Sequence, residues 1–234
     1  MKKLEQYELF AEVFRFPKSE DYIAKVNNVA SFLLKSYPSA YKEFEPFLNF
    51  VNNNSFFDIE EVFTRTFHIQ AICFLDLGYV LFGEDYKRGE FLVQMKREQR
   101  EAENDCGEEL ADNLPNVLKL LSLIEDDNFL QELSVRILIP CIQKMLNEFE
   151  LSRIALKDKV RKKKQKVVLM DNKQYKNVYQ YALQSLIKVL DIDFKGIDYN
   201  DPKLNATPGG SFINNCGTCS DLPEVKSVQT IENK

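Results

Sequence analysis

Tryptophan is absent from this 234-residue chain, and histidine occurs once, at His68. One imidazole leaves no catalytic or metal cluster built on several histidines. Glycine is scarce, eight in all, and the first is Gly78. The long glycine-free opening has nothing suited to tight β-turns or phosphate-cradling loops. There is no Walker-type glycine loop and no nucleophile elbow, which argues against a conventional hydrolase or transferase. No apolar run approaches membrane-spanning length. Lys2 and Lys3 are followed by Glu5, Glu8 and Glu12 rather than by an apolar stretch, so no secretory signal is read and the cytoplasm is the expected compartment. The net charge of −5 carries no clustered basic face of the kind nucleic acid requires. Five cysteines, Cys73, Cys106, Cys141, Cys216 and Cys219, form an odd and mostly scattered set, unlike a disulfide framework.

What is present is a globular balance of 44% hydrophobic and 29% charged residues, with 18 phenylalanines to build a core. Apolar residues recur at helical spacing. Leu4, Tyr7, Phe10 and Phe14 make one stripe, stopped by Pro17. Tyr22, Val26, Val29, Leu33 and Leu34 make a second, ending near Pro38; Phe44, Phe47, Leu48 and Val51 mark a third helix over 41–51. Asn52, Asn53, Asn54 and Ser55 read as a loop, and Asp58 with Glu61 as a capping box. Residues 62–82 are apolar on nearly every helical face, which predicts a helix buried all round. Gly78 within it costs about 1 kcal/mol against alanine and suggests a close neighbour. Gly83 is placed to end that helix and Asp85 to cap the next. Leu92 and Met95 with the stems of Arg88 and Gln99 share a face. Val117, Leu120, Leu121 and Ile124 form a core-facing stripe, and Pro140 should kink or divide a helix that starts near Asn128. A last helix carries Val178, Tyr181, Ala182, Ser185, Leu186 and Val189. The prediction is an all-α, single-domain helical bundle over 1–193 with a flexible C-terminal tail over 194–234. The basic run at 157–166 reads as a solvated face or linker.

Three short motifs follow one another through the middle of the chain. Phe63 to His68 opens an aromatic-rich helix. Gly83-Glu84-Asp85-Tyr86-Lys87-Arg88-Gly89 is a Gly-acid-x-x-x-Arg-Gly turn. Glu109-Leu110-Ala111-Asp112-Asn113-Leu114-Pro115 follows a Glu-Leu-Pro-Asp-His-Leu-Pro pattern, continued by Leu118 and Leu121. In this order and spacing, over about residues 60–125, they resemble the nitrate reductase delta-subunit family of molybdenum cofactor assembly chaperones, within the trimethylamine-N-oxide-reductase-type redox-enzyme chaperones. The chain departs from the family pattern at His68, where Asp is usual, at Ala111 for proline, and at Asn113 for histidine.

The resemblance implies a non-enzymatic protein without a cofactor of its own. It implies a chaperone that binds the N-terminal segment of a molybdoenzyme catalytic subunit of the nitrate reductase type in the cytoplasm and holds it for cofactor insertion. Contact with the apo-enzyme complex would be transient, with no nucleic acid and no stable membrane insertion. Such work suits an apolar groove for an amphipathic segment, with acidic groups at the rim for a basic client. The groove candidates are Phe67, Phe74, Leu75, Tyr79 and Phe82, and the rim candidates Glu84, Asp85 and Asp112; His68, Arg88, Asn113, Leu114 and Pro115 complete the candidate surface. Most of the 62–82 run would still be plain core. Gly89 has a structural reading in helix packing and Arg88 in a salt bridge; Asp112 and Pro115 read at least as a helix start. Cys216-Gly217-Thr218-Cys219 is the one further chemical signal. It lacks the strand–helix context of a redox motif and the four ligands of a complete zinc site. Cys216 and Cys219 could still share a metal with a client or a second copy, so a metal- or cluster-handling protein is the alternative reading.

Overall fold

The computed structural model describes residues 4–69, 71–150 and 177–197, and every regular element among them is helical. The basic run at 157–166 and the Cys216–Cys219 pair lie outside the described residues. Helix α1 (Glu5–Val13) buries Tyr7, Phe10, Ala11 and Val13, and Phe14 caps it. Helix α2 (Asp21–Ser36) buries Tyr22, Val26, Val29, Ala30 and Leu33, while Leu34 faces outward. Helix α3 (Pro38–Asn53) begins earlier than its apolar stripe, because Pro38 sits in the first turn where a missing N–H costs nothing. It also runs through Asn52 and Asn53, which the sequence placed in a loop. Asn53 and Asn54 donate side-chain amides to the carbonyls of Asn49 and Phe50 at 2.7 Å each, satisfying acceptors at the helix end.

Helix α4 (Phe56–Phe67) is opened by a capping box one turn earlier than expected: Ser55 is the cap, and Asp58 is its third-position partner. The Ser55 hydroxyl accepts the Asp58 N–H, and the Asp58 carboxylate accepts the Ser55 N–H, both at 3.2 Å. The continuous buried helix predicted over 62–82 does not form. Thr64 O accepts the N–H groups of both His68 and Ile69, which closes α4 at Phe67. Thr66 O then accepts from Ile72 and Cys73 and folds the connection back on itself. Ile69 and Phe74 emerge 66% and 41% exposed. The next helix, α5, is only Leu77–Phe82.

Gly83, at φ 63°, ends α5 as expected, and Asp85 Oδ1 accepts the Lys87 N–H at the start of α6 (Lys87–Glu101). The buried face of α6 is Phe91, Gln94, Met95 and Gln99. Helix α7 (Leu114–Leu123) has Pro115 in its first turn and buries Val117, Leu118, Leu120 and Leu121. Helix α8 (Asp127–Glu132) is capped by Asp126 and passes without a break into a π-helical turn, Leu133–Leu138, and then α9 (Ile139–Glu148). The division expected of Pro140 thus takes the form of a change in winding. Ile139 N–H reaches back to Ser134 O, one residue further than in an α-helix, just ahead of the proline that has no N–H to give. Helix α10 (Tyr179–Asp193) buries Tyr179, Ala182, Leu183, Ser185, Leu186, Val189 and Leu190.

Helix α1 packs on α2 and α7, α2 on α3, and α10 on α3 and α9; α5 lies on α6 and α9. One continuous apolar core runs through these layers. Its centre is aromatic, with Tyr179 packed against Phe47, Phe63 and Phe67 and its hydroxyl 3.0 Å from that of Tyr22. At one end Asp193 accepts hydrogen bonds from Gln6, Tyr7 and Tyr37, joining α10 to α1 and to the α2–α3 turn. Phe194, the first residue assigned to the tail, is also buried, against the Tyr7 ring.

Candidate functional site

The start of α5 is built by residues more than thirty positions away. Leu77 N–H donates to Asp112 O at 3.0 Å, and Leu114 N–H to Leu75 O at 2.9 Å, so Asp76 and Asn113 form an antiparallel bridge. Asp112 Oδ2 accepts the Gly78 N–H at 2.9 Å, and Asn113 Nδ2 donates to Asp76 Oδ1 at 3.0 Å. Asp112 is therefore not the cap of its own helix, as its place before Leu114-Pro115 suggests. It satisfies a first-turn N–H of α5 instead, and Asn113 occupies the cap position of α7 without a side-chain cap bond. Gly78 is required by this arrangement. A Cβ there would stand 2.8 Å from Asp112 Oδ2 and 3.0 Å from Phe91 Cδ1. Gly89, by contrast, has nothing within 4 Å of such an atom, so it is not a packing glycine.

Asp112 is 1% exposed and its Oδ1 has no hydrogen-bond partner. Burial raises its carboxyl above the usual range and nearby Asp76 adds to that, while the Gly78 N–H and Arg88 work in the opposite direction. Cys141 lies beside the same junction, its thiol directed at Leu77 O at 3.6 Å. Burial pushes that thiol up strongly, so it is a neutral core group rather than a nucleophile.

A pocket of about 490 Å³ opens between the residues 72–74 connection, α5 and the last turns of α9. Phe74, Tyr79 and Val80 form one wall, and Lys144, Met145 and Glu148 the other. Phe74 and Tyr79 meet edge to face at 4.5 Å between ring centres, and the Arg88 guanidinium lies over the Tyr79 ring at 5.1 Å. Lys144 Nζ donates to Leu81 O at 3.2 Å, tying α9 to the end of α5.

Of the predicted groove residues, Phe74 and Tyr79 line this pocket. Phe67 does not: it is 6% exposed and packs into the central aromatic cluster with Phe14, Phe63 and Tyr179. Leu75 is buried too, and Phe82 turns toward Phe91 on α6. His68 is exposed but lies against Phe16 and Phe63, outside the pocket lining. The acidic rim is corrected as well. Asp112 is buried, Asp85 accepts the Lys87 N–H one residue ahead of the α6 cap position, Tyr86, and neither Asp85 nor exposed Glu84 is part of the pocket wall. Among the described residues Arg88 makes no salt bridge, and it stacks on Tyr79; Leu114 and Pro115 are buried at the start of α7. The charged groups lining the pocket are Lys144 and Glu148, and neither was read from the sequence.

Among the described residues no group of three or more His, Cys, Asp or Glu side chains could hold a metal ion, and no helix is long and apolar enough to cross a membrane. The class defined by these observations is an all-α bundle with a partly aromatic surface pocket. No protein-family model matches the chain, and neither does any curated protein or solved structure.

Proposed function

We propose that the chain is a non-enzymatic assembly chaperone that binds the N-terminal segment of a molybdoenzyme catalytic subunit in the cytoplasm and holds it for cofactor insertion. The observation that carries this reading is a convergence. The motifs at 83–89 and 109–115, on which the resemblance rests, meet at one place through Arg88 and Asp112. Arg88 lies on Tyr79, a pocket residue, and Asp112 holds Gly78, its neighbour in the chain. The pocket sets Phe74, Tyr79 and Val80 on one wall against Lys144, Asn147 and Glu148 on the other, which fits an amphipathic segment that presents apolar side chains to the first and polar groups to the second. Its size fits a few such side chains rather than a long helix. Pull-down of the tagged chain from its native cells, with identification of the partners, tests the reading. A molybdoenzyme catalytic subunit is the expected partner, retained in its cofactor-free form. If such a subunit is expressed and does not come down with the chain, the reading fails.

A further inference from the structure

Arg88 is not in the pocket lining, but it touches both Tyr79, which is, and the surroundings of the buried junction. The Arg88 stem passes close to the Asp112 carboxylate: its Cγ lies 3.4 Å from the point where a Gly78 Cβ would stand, and Asp112 Oδ2 lies 2.8 Å from that same point. The guanidinium nevertheless rests on the ring of Tyr79, a pocket residue, and makes no ion pair among the described residues. Behind it, Asp112 Oδ1 is buried without a hydrogen bond. A buried carboxylate oxygen without a donor is costly, and a charge-assisted guanidinium bond is among the stronger remedies. Rotation about the bonds beyond Cγ can carry the guanidinium from the Tyr79 ring toward the Asp112 carboxylate.

We propose that Arg88 is a two-position side chain, resting on Tyr79 while Asp112 is neutral and turning to Asp112 Oδ1 when that carboxyl is ionised. The other groups facing Asp112 fit this arrangement. Asp76, at the start of α5, disfavours its negative charge, Cys141 on α9 is a neutral neighbour, and Arg88 on α6 is the cation that favours it. On its own helix Asn113 is engaged with Asp76. The consequence for the pocket rests on the pocket being the binding surface. An occupant that stacks on Tyr79 displaces the guanidinium, favours ionised Asp112 and releases a proton. Binding then tightens as pH rises through the Asp112 titration.

The device is tested on the free full-length chain, with no client, so its failure is distinct from failure of the chaperone reading. Carboxyl-carbon NMR follows Asp112, and proton shifts follow the Tyr79 ring and the Arg88 Nε–H, across the pH range in which the chain stays folded. The expected result is one shared midpoint for all three. In Arg88→Gln the Asp112 midpoint rises, and in Asp112→Asn, which keeps an acceptor for Gly78, the Tyr79 and Arg88 signals no longer titrate together. The proposal is overturned if Tyr79 and Arg88 ignore the Asp112 titration, if Asp112 does not titrate in the folded chain, or if Arg88→Gln leaves its midpoint in place.

Discussion

Asp112 reaches across 34 positions of sequence to accept the N–H of Gly78, and the same carboxylate occupies the space that a side chain at Gly78 would need. Gly78→Ala therefore forces a methyl group against Asp112 Oδ2 and the Phe91 ring, both buried. Overpacking of this kind costs about 1–3 kcal/mol, more than the helix propensity that alanine adds. Urea denaturation should show the loss, and an equal or raised midpoint would refute the account.

Gly89→Ala is the matched contrast. It lies in the first turns of α6, with nothing near the added atom. The variant should gain about 0.4–1 kcal/mol, mainly from the reduced freedom of the unfolded chain. A loss in the same denaturation experiment would show that something packs there after all.

Phe74 and Phe67 should separate binding from folding. Phe74 is half exposed at the pocket wall, so Phe74→Ala should leave the helical circular dichroism signal intact. It should weaken binding of the captured subunit's N-terminal peptide about tenfold in calorimetry, the loss typical of a truncated anchor. Phe67 sits in the aromatic core, and Phe67→Ala should cost about 3–5 kcal/mol of stability. Undiminished peptide binding by a folded Phe74→Ala chain would take Phe74 out of the site.

The buried tyrosines predict alkaline unfolding. Burial, with the carboxylate of Asp193 beside it, raises the Tyr7 hydroxyl far above the ordinary tyrosine range, and burial likewise raises Tyr22 and Tyr179. The native state thus holds these protons more tightly than the unfolded chain, whose tyrosines titrate near pH ~10. Their contribution is complete below that pH and is lost as pH rises beyond it. With no tryptophan present, tyrosinate absorbance is easily followed, and the part of it contributed by these buried tyrosines should appear together with loss of helical signal. Full ionisation of every tyrosine in a chain that keeps its helices would contradict the burial described.

Asp193→Ala should also be destabilising. It removes the acceptor shared by Gln6, Tyr7 and Tyr37, and leaves the buried Tyr7 hydroxyl without it. The expected cost is about 1–3 kcal/mol, read from the thermal midpoint. Tyr7→Phe in the same background should recover part of it, since the most deeply buried of the stranded donors is then gone.

Much of the bundle was legible because its helices bury one stripe each. Tyr22, Val26, Val29 and Leu33 lie inside, as their spacing requires, and Pro17, Pro38 and Gly83 mark boundaries where expected. The break at residues 68–76 was not legible. An apolar run reads the same whether it is a buried helix or a buried connection, and the choice was made by carbonyls of Thr64 and Thr66 and by the strand-like pairing with residues 112–114. Asp112 misled for a related reason: a local cap signal and a long-range one have the same sequence. Half of the pocket was hidden in the outward face of α9, whose lysine and glutamate resemble any solvated helix.

The π-helical turn at Leu133–Leu138 sets the phase of α9. Each residue of an α-helix advances it by about 100°, and the wide turn takes up one extra residue, so if the same residues were wound as ordinary α-helix, α9 would be rotated against the bundle by about that angle. Cys141 and Met145 would leave the core side, and Lys144 would swing away from the end of α5. Where the chain meets an occupant is in that sense decided by counting, one residue at a time, some way upstream of the surface concerned.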